Sequence, residues 1–473
     1  MYKFYLKNVE KAHQYEELIK VFLKPEDFLI ILDKEDVNCS NVVDIYDEHA
    51  KIKSEDKYYE LVLKEDRNIL KKEIFEILTD ETGKSVSWGT VTGIRPVKLF
   101  GETVKNFDGC DKVAETEAFF KEYYCVSKEK AKLTSDIYNY QMSAFGEAPE
   151  KSVGLYIGIP FCPTRCLYCS FTSNQTTDDE IEKYMVALHK EIDYVSSKMK
   201  ELDQFAESIY IGGGTPTTLN DKLLKELLDH VNSAFKTNKL KEFTVEAGRP
   251  DTITESKLKV IYDAGVDRIS INPQTMHDKT LELIGRDHNV VEIENSFKLA
   301  KKIGIRNVNA DLIVGLPGEE INDFKESLDK LLSLEPTNIT IHTLAIKRAS
   351  RLAGIDDQYH YTQGEIATEM LDYAYERLTK ENFIPYYLYR QKHMAGAGEN
   401  TGFCLKGTES IYNARIMDEH QSIVALGAGG ISKLYYPKEN RLERVANVSN
   451  YEIYIQRIDQ MLERKEKNLF KEV

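Results

Sequence analysis

The stretch VGLYIGIPFCPTRCLYCSF, residues 153–171, decides how the chain is read. Its first seven residues are an unbroken run of apolar residues and glycine, the pattern of a strand buried on both faces in a parallel sheet. Immediately after that run stand Cys162, Cys166 and Cys169 in CxxxCxxC spacing. Pro160 and Pro163 oppose a helix here, so the three thiols are expected on one loop just past the strand. Three thiolates on a short loop suit a [4Fe–4S] cube, which ordinarily takes four, and one iron is then left to accept a small molecule. A zinc site or three unrelated core cysteines are the other readings; zinc needs a fourth Cys or His that the loop lacks, and core cysteines would sit on a regular face.

Further along the chain, the runs SIYIGG (208–213), FTVEA (243–247), DRISIN (267–272), NVNADLIVG (307–315) and NITIHTLAI (338–346) alternate with longer amphipathic stretches. Together with 153–159 they make six strand–helix units, predicting an α/β fold, a partial (β/α)6 barrel with its chemistry at the C-terminal ends of the strands. Upstream, FYLKNV, DFLIIL and YYELVLK read as strands, while 71–79 and 113–145 read as helices, an α+β pattern. Residues 87–100 hold the one tryptophan and Pro96, and read as a structured loop entering a helix. Gly, Pro and charge cluster at 146–152. The expected domains are therefore residues 1–150, of undetermined role, a barrel at 151–381, and a segment at 382–473 that caps the barrel mouth.

With 473 residues the chain exceeds what one core usually supports. The net charge is −15, and residues 1–150 alone carry 22 Lys and Arg against 30 Asp and Glu, so no nucleic-acid partner is expected. The apolar runs are too short to cross a bilayer, and the first residues lack a signal-peptide pattern; a cytoplasmic protein is expected. Cys39, Cys110, Cys125 and Cys404 are scattered singly and read as small core residues.

The motifs YIGIPFCPTRCLYCSF (156–171), YIGGGTPTTL (210–219), INPQTMHDKTLELIGR (271–286) and NADLIVGLPGE (309–319) together resemble the radical S-adenosylmethionine superfamily. Within it they are similar to the branch of the oxygen-independent coproporphyrinogen III oxidases. WGTVTGIRPVKL (88–99), YYLYRQ (386–391) and GAGGISK (427–433) look like the coproporphyrinogen dehydrogenase variant of that branch. The resemblance implies a [4Fe–4S] cluster on Cys162, Cys166 and Cys169, with S-adenosylmethionine chelated to its open iron and a second molecule in some relatives. It also implies an electron donor such as flavodoxin or ferredoxin, a tetrapyrrole substrate, and a radical that converts propionates to vinyl groups. A monomer is expected, and no side chain is singled out as catalytic.

The glycines of 212–214 let backbone approach a ligand closely. The resemblance assigns the methionyl end of S-adenosylmethionine to Gly213, Gly214 and Thr215. Glu246, Gln274 and Asp311 lie at or in successive strands and bear oxygens able to accept from ribose hydroxyls, while Arg286 offers a fork for a carboxylate. Taken singly, each has an ordinary reading as a surface or ion-pairing residue. The resemblance makes them contacts of S-adenosylmethionine, with Tyr156, Tyr168, Ala345 and Ile431 at further matching positions. Residues 425–432, ALGAGGIS, read as a close-packed turn, with Ile431 expected in the adenine pocket. Arg249, Arg348, Arg351, Arg390 and Lys392 are candidate anchors for substrate carboxylates.

Two other activities of the same branch compete with the oxidase reading: a haem-binding chaperone, and a haem-degrading methyltransferase. The chaperones carry a His-Asn pair near the C-terminus, where this chain reads Tyr412-Asn413.

Overall fold

The structure, a computed structural model, describes residues 1–32, 52–53, 56–63, 66–84, 86–169, 173–345, 364–391, 394 and 398–470. The chain divides into two compact units, Met1–Asp136 and Ile137–Val473. No helix among the described residues is long and apolar enough to cross a membrane.

In the first unit, β1 (Tyr2–Lys7), β2 (Phe28–Leu32), β3 (Ile52–Lys53) and β4 (Asp56–Val62) form a sheet in the order β2-β1-β4-β3, with β1 parallel to both neighbours. Helices His13–Phe22 and Arg67–Thr82 pack together, and Phe4, Leu6, Leu18, Leu70 and Ile74 form the core. Residues 87–100 run into the helix Pro96–Val104, with proline in its first turn where a missing N–H costs nothing. The single helix expected at 113–145 is two, Lys112–Tyr123 and Lys128–Ala144, broken where Cys125 takes a φ of 55°. Trp88 is buried and Cys110 is exposed, so only some of the scattered cysteines are core residues: Cys404 is fully buried, Cys125 partly so, and Cys39 lies outside the described residues.

The second unit is built on β5 (Ser152–Ile159), β6 (Phe205–Gly213), β7 (Glu242–Gly248), β8 (Arg268–Ile271), β9 (Asn307–Val314) and β10 (Asn338–Thr343). They pair in sequence order, all parallel, with helices between them. Seven of the eight β5 residues are buried, as its continuous apolar run requires. The strands do not close into a barrel. At one edge β10 meets antiparallel β12 (Asn400–Cys404), which pairs with β11 (Ile384–Tyr389). At the other, β13 (Ser422–Leu426) lies parallel to β5 and leads to the antiparallel β14 (Ile431–Tyr436) and β15 (Arg441–Ala446). The segment after Asn382 thus extends the sheet on both sides.

A fully buried ion pair fastens the β5 side. Glu191, on helix Asp178–Glu201, faces Lys465, on helix Ile458–Asn468, at 3.2 Å, and neither side chain is exposed. Lys465 also donates to Ala425 and Asn447, and Glu191 accepts from Asn447, Tyr454 and the Gly427 amide. The turn at 427–430 is close-packed as expected: a Cβ on Gly427 would lie 2.5 Å from Gly158 O and Tyr184 Oη.

Candidate active site

The C-terminal ends of β5 to β10 surround a cavity of about 450 Å³, within the range of roughly 300–1,000 Å³ usual for ligand sites. Its lining brings together Cys162, Cys166 and Cys169 with Tyr156, Tyr168, Gly213, Gly214, Thr215, Glu246, Gln274, Arg286, Asp311 and Ala345. Ile431 does not join them. It opens β14, between β13 and β15, and is half exposed.

The cysteine loop is held from several sides. Cys162 N donates to Asn174 O at 3.0 Å, and Asn174 N returns a bond to Pro160 O at 2.9 Å. Leu167 N donates to Ile284 O at 3.0 Å, and Arg249 Nη1 reaches Thr164 Oγ1 at 2.7 Å. Burial pushes the Cys162 thiol up to about 11, partly offset by Thr215, whose hydroxyl stands 3.5 Å from the sulfur. Such a thiol becomes a thiolate when a metal takes it. Among the described residues no three His, Cys, Asp or Glu side chains converge on a single ion.

Next to this loop the 212–214 backbone is packed hard against β5. Gly214 N donates to Ile159 O and Thr215 N to Phe161 O, at 2.8 and 2.7 Å, and a Cβ on Gly214 would run into the Phe161 backbone. Gly213 has a φ of 111°, where L side chains are strained. Its amide donates to Glu246 at 3.2 Å, and Tyr210 donates to the other Glu246 oxygen at 2.5 Å.

Burial pushes the Glu246 carboxyl up to about 7, with Asp311 adding to the effect and Tyr210 and the Gly213 amide opposing it. Without cofactors, the neutral carboxyl stabilises the fold fully below its ordinary 4.5, and this is lost as pH rises through about 7. The difference amounts to about 3 kcal/mol. Glu246→Gln stays neutral, so its stability relative to wild type is expected to rise by about that much over the window; parallel denaturation curves at every pH would refute this.

Gln274 is a non-glycine residue at φ 72°, held there by exchanging backbone bonds with β9: its N donates to Asp311 O and its O accepts from Ile313 N. Strain of this kind persists where surroundings over-determine it, often at functional sites. Arg286 sits in the break between the helices Asp278–Leu283 and Val290–Ile303. Its guanidinium donates to Asn272 O at 2.7 Å and Tyr168 Oη at 3.2 Å.

The residues fit a cube and a polar, zwitterionic cofactor. Soft thiols converge on one wall, glycines leave a backbone cradle, and Arg249 Nη2, Arg286 Nε and Asn272 Oδ1 are buried polar atoms without a hydrogen-bond partner.

Sequence reasoning missed much of the lining. Tyr210 and Tyr412 stack at 4.7 Å, with Tyr156 beside both at 6.4 Å, and Tyr387, Tyr389, His342, Asn413 and Met417 complete the wall. Counting back by twos from Gly212 along β6 would have found Tyr210. Of the candidate anchors, Arg249 lines the cavity at the cysteine loop. Arg390 is buried and donates to Gly398 O, while Arg348, Arg351 and Lys392 lie outside the described residues.

A family model described as the radical SAM superfamily matches residues 156–331. The oxygen-independent coproporphyrinogen-III oxidase-like protein HemZ of Bacillus subtilis is 36% identical over 94% of this chain and 91% of its own. The heme chaperone HemW of the same organism is 32% identical over 58% of this chain and 69% of its own. Among solved structures, the Escherichia coli coproporphyrinogen III oxidase HemN, a radical SAM enzyme, superposes with a TM-score of 0.52 at 20% identity, covering 68% of this chain and 72% of that one, which supports the fold. The chain belongs to the radical SAM superfamily, whose cofactors are a [4Fe–4S] cluster and S-adenosylmethionine, and within it to the group of oxygen-independent coproporphyrinogen-III oxidase-like proteins that includes HemZ.

Proposed function

We propose that the protein oxidatively decarboxylates propionate side chains of coproporphyrinogen III to vinyl groups without oxygen. The observation that carries this reading is the gathering of Cys162, Cys166, Cys169, the 213–215 backbone, Glu246, Gln274, Arg286 and Asp311 around one cavity, in a chain 36% identical to HemZ along nearly its whole length.

When bound, the cluster and S-adenosylmethionine supply a carbon radical able to take a hydrogen atom from an unactivated C–H bond. The three cysteines hold the cluster. Gly213, Gly214 and Thr215 offer backbone to the methionyl end, and Arg286 a fork to its carboxylate. Glu246, Gln274 and Asp311 accept from ribose hydroxyls. The tyrosine wall keeps water from the reacting atoms, which protects a radical from side reactions. An electron donor such as flavodoxin or ferredoxin would supply the electron this chemistry needs.

The likeness to HemW favours a second reading, delivery of intact haem. Anaerobically reconstituted protein given S-adenosylmethionine, a reductant and coproporphyrinogen III is expected to form 5′-deoxyadenosine together with mono- and divinyl products. Deoxyadenosine without vinyl products removes the decarboxylase reading, and tight haem binding in the same preparation would favour delivery.

A further inference from the structure

β5, which leads into the cysteine loop, and β10, which carries His342, are the two outermost of the six parallel strands. The cavity runs from one to the other. Among its described lining residues the side chains able to carry positive charge are Arg249, Arg286 and His342. Both arginines lie at the cysteine end, where Arg249 meets Thr164 and Asp251 and Arg286 meets Asn272 and Tyr168. Among the described residues His342 alone serves the far end.

There its ring joins side chains from neighbouring elements. Nε2 lies 3.4 Å from Asp311 Oδ2 on β9, and Nδ1 lies 3.5 Å from Tyr389 Oη on β11. Gln391 Nε2 stands 3.5 Å from the same hydroxyl. The Asp311 carboxylate is fixed on its other oxygen by Asn309 Nδ2 at 2.8 Å. His342, Tyr389 and Gln391 give this end hydrogen-bond donors, and Tyr387, which bonds Thr340 of β10, and Met417, packed with it, border it with apolar surface. A planar, mostly apolar molecule with carboxylates at its edge meets complementary surface in such a place.

We propose that His342 and Tyr389 form a subsite for a carboxylate of the organic substrate and so determine which side chain is presented for reaction. The proposal rests on the function proposed above, in which Asp311 holds the ribose of S-adenosylmethionine. His342 touches Asp311, so a carboxylate bound at the imidazole lies one side chain away from that ribose. In a propionate the carbon to be attacked is separated from the carboxylate by a single methylene. Anchoring the acid at His342 therefore brings the C–H bond to the 5′ carbon, the positioning that hydrogen transfer demands.

Coproporphyrin III, the air-stable oxidised tetra-acid, and its tetramethyl ester are suitable probes, titrated by absorbance or fluorescence into protein containing cluster and S-adenosylmethionine. His342→Gln is expected to weaken the tetra-acid about tenfold or more and to leave the ester within about twofold of wild type. Tyr389→Phe, which removes one hydroxyl, shows the same preference at roughly three- to fivefold and serves if the histidine variant does not fold. In turnover, the KM for coproporphyrinogen rises more than kcat falls. Equal acid and ester affinities in wild type, or variants that bind the acid as wild type does, overturn the subsite. Vinyl products from wild type alongside unaffected variants remove the subsite and keep the decarboxylase reading. Selective loss of acid binding in a protein that makes no vinyl product keeps the subsite and removes that reading.

Discussion

Cys166→Ala protein, reconstituted anaerobically with iron and sulfide, is expected to retain less than about a tenth of the wild-type cluster and to form no measurable 5′-deoxyadenosine. A cube on three thiolates has no ligand to spare, since four is the ordinary number. The neighbouring irons of the loop cannot recruit a replacement from within it, because residues 160–169 offer no histidine or carboxylate. Cys166 is only 9% exposed and loses just a sulfur in the change, so folding should survive it. Cys404→Ala supplies the control: this cysteine is at least as buried, but it packs with Tyr386 and Tyr387 away from the loop, and its variant should keep a full cluster. The readouts are iron and sulfide content, visible absorbance, and the spin signal of the reduced protein. A full cluster in Cys166→Ala would sink the assignment of all three cysteines.

The second large effect concerns stability. Lys465→Met is expected to destabilise the second unit by about 3–5 kcal/mol, because it leaves the Glu191 carboxylate buried without its counter-charge. The three partners that Lys465 serves, Glu191, Ala425 and Asn447, lose their donor together. Adding Glu191→Gln to that variant removes the stranded charge while keeping an amide to meet Gly427 and Tyr454, and it should recover more than half of the loss. Denaturant unfolding tests this when followed by circular dichroism rather than by tryptophan emission, since the one tryptophan, Trp88, lies in the other unit. A loss below about 1 kcal/mol for Lys465→Met would show that this pair is not what secures the C-terminal helix.

The six parallel strands were legible because each is a short apolar run next to an amphipathic helix, two periods that differ sharply. The cysteines, the glycine loop and the strand-end residues Glu246, Gln274 and Asp311 were legible because they stand in or directly after those runs. What escaped lies in breaks and borrowed surfaces. The break that seats Arg286 interrupts a pattern that stays helical in sequence, and the tyrosine wall is assembled from β5, β6, β11 and the helix Ile411–Asp418, which no local window joins. His342 was hidden for a simpler reason: on β10 it follows Asn338 and Thr340 in plain alternation with isoleucines, and only its neighbours Asp311 and Tyr389 give it meaning. Ile431 stands apart from the lining residues, and the packing of the turn before it does not reveal that.

The pairing of Val153 with Ser422 also has a meaning in time. A ribosome working at ~5–20 residues per second delivers β13 on the order of tens of seconds after β5 emerges. During that interval the strand leading to the cysteines has one raw edge, and the loop beyond it lacks the neighbours that shield it in the finished fold. Late, long-range pairing of this sort is slow and exposes the nascent chain to association.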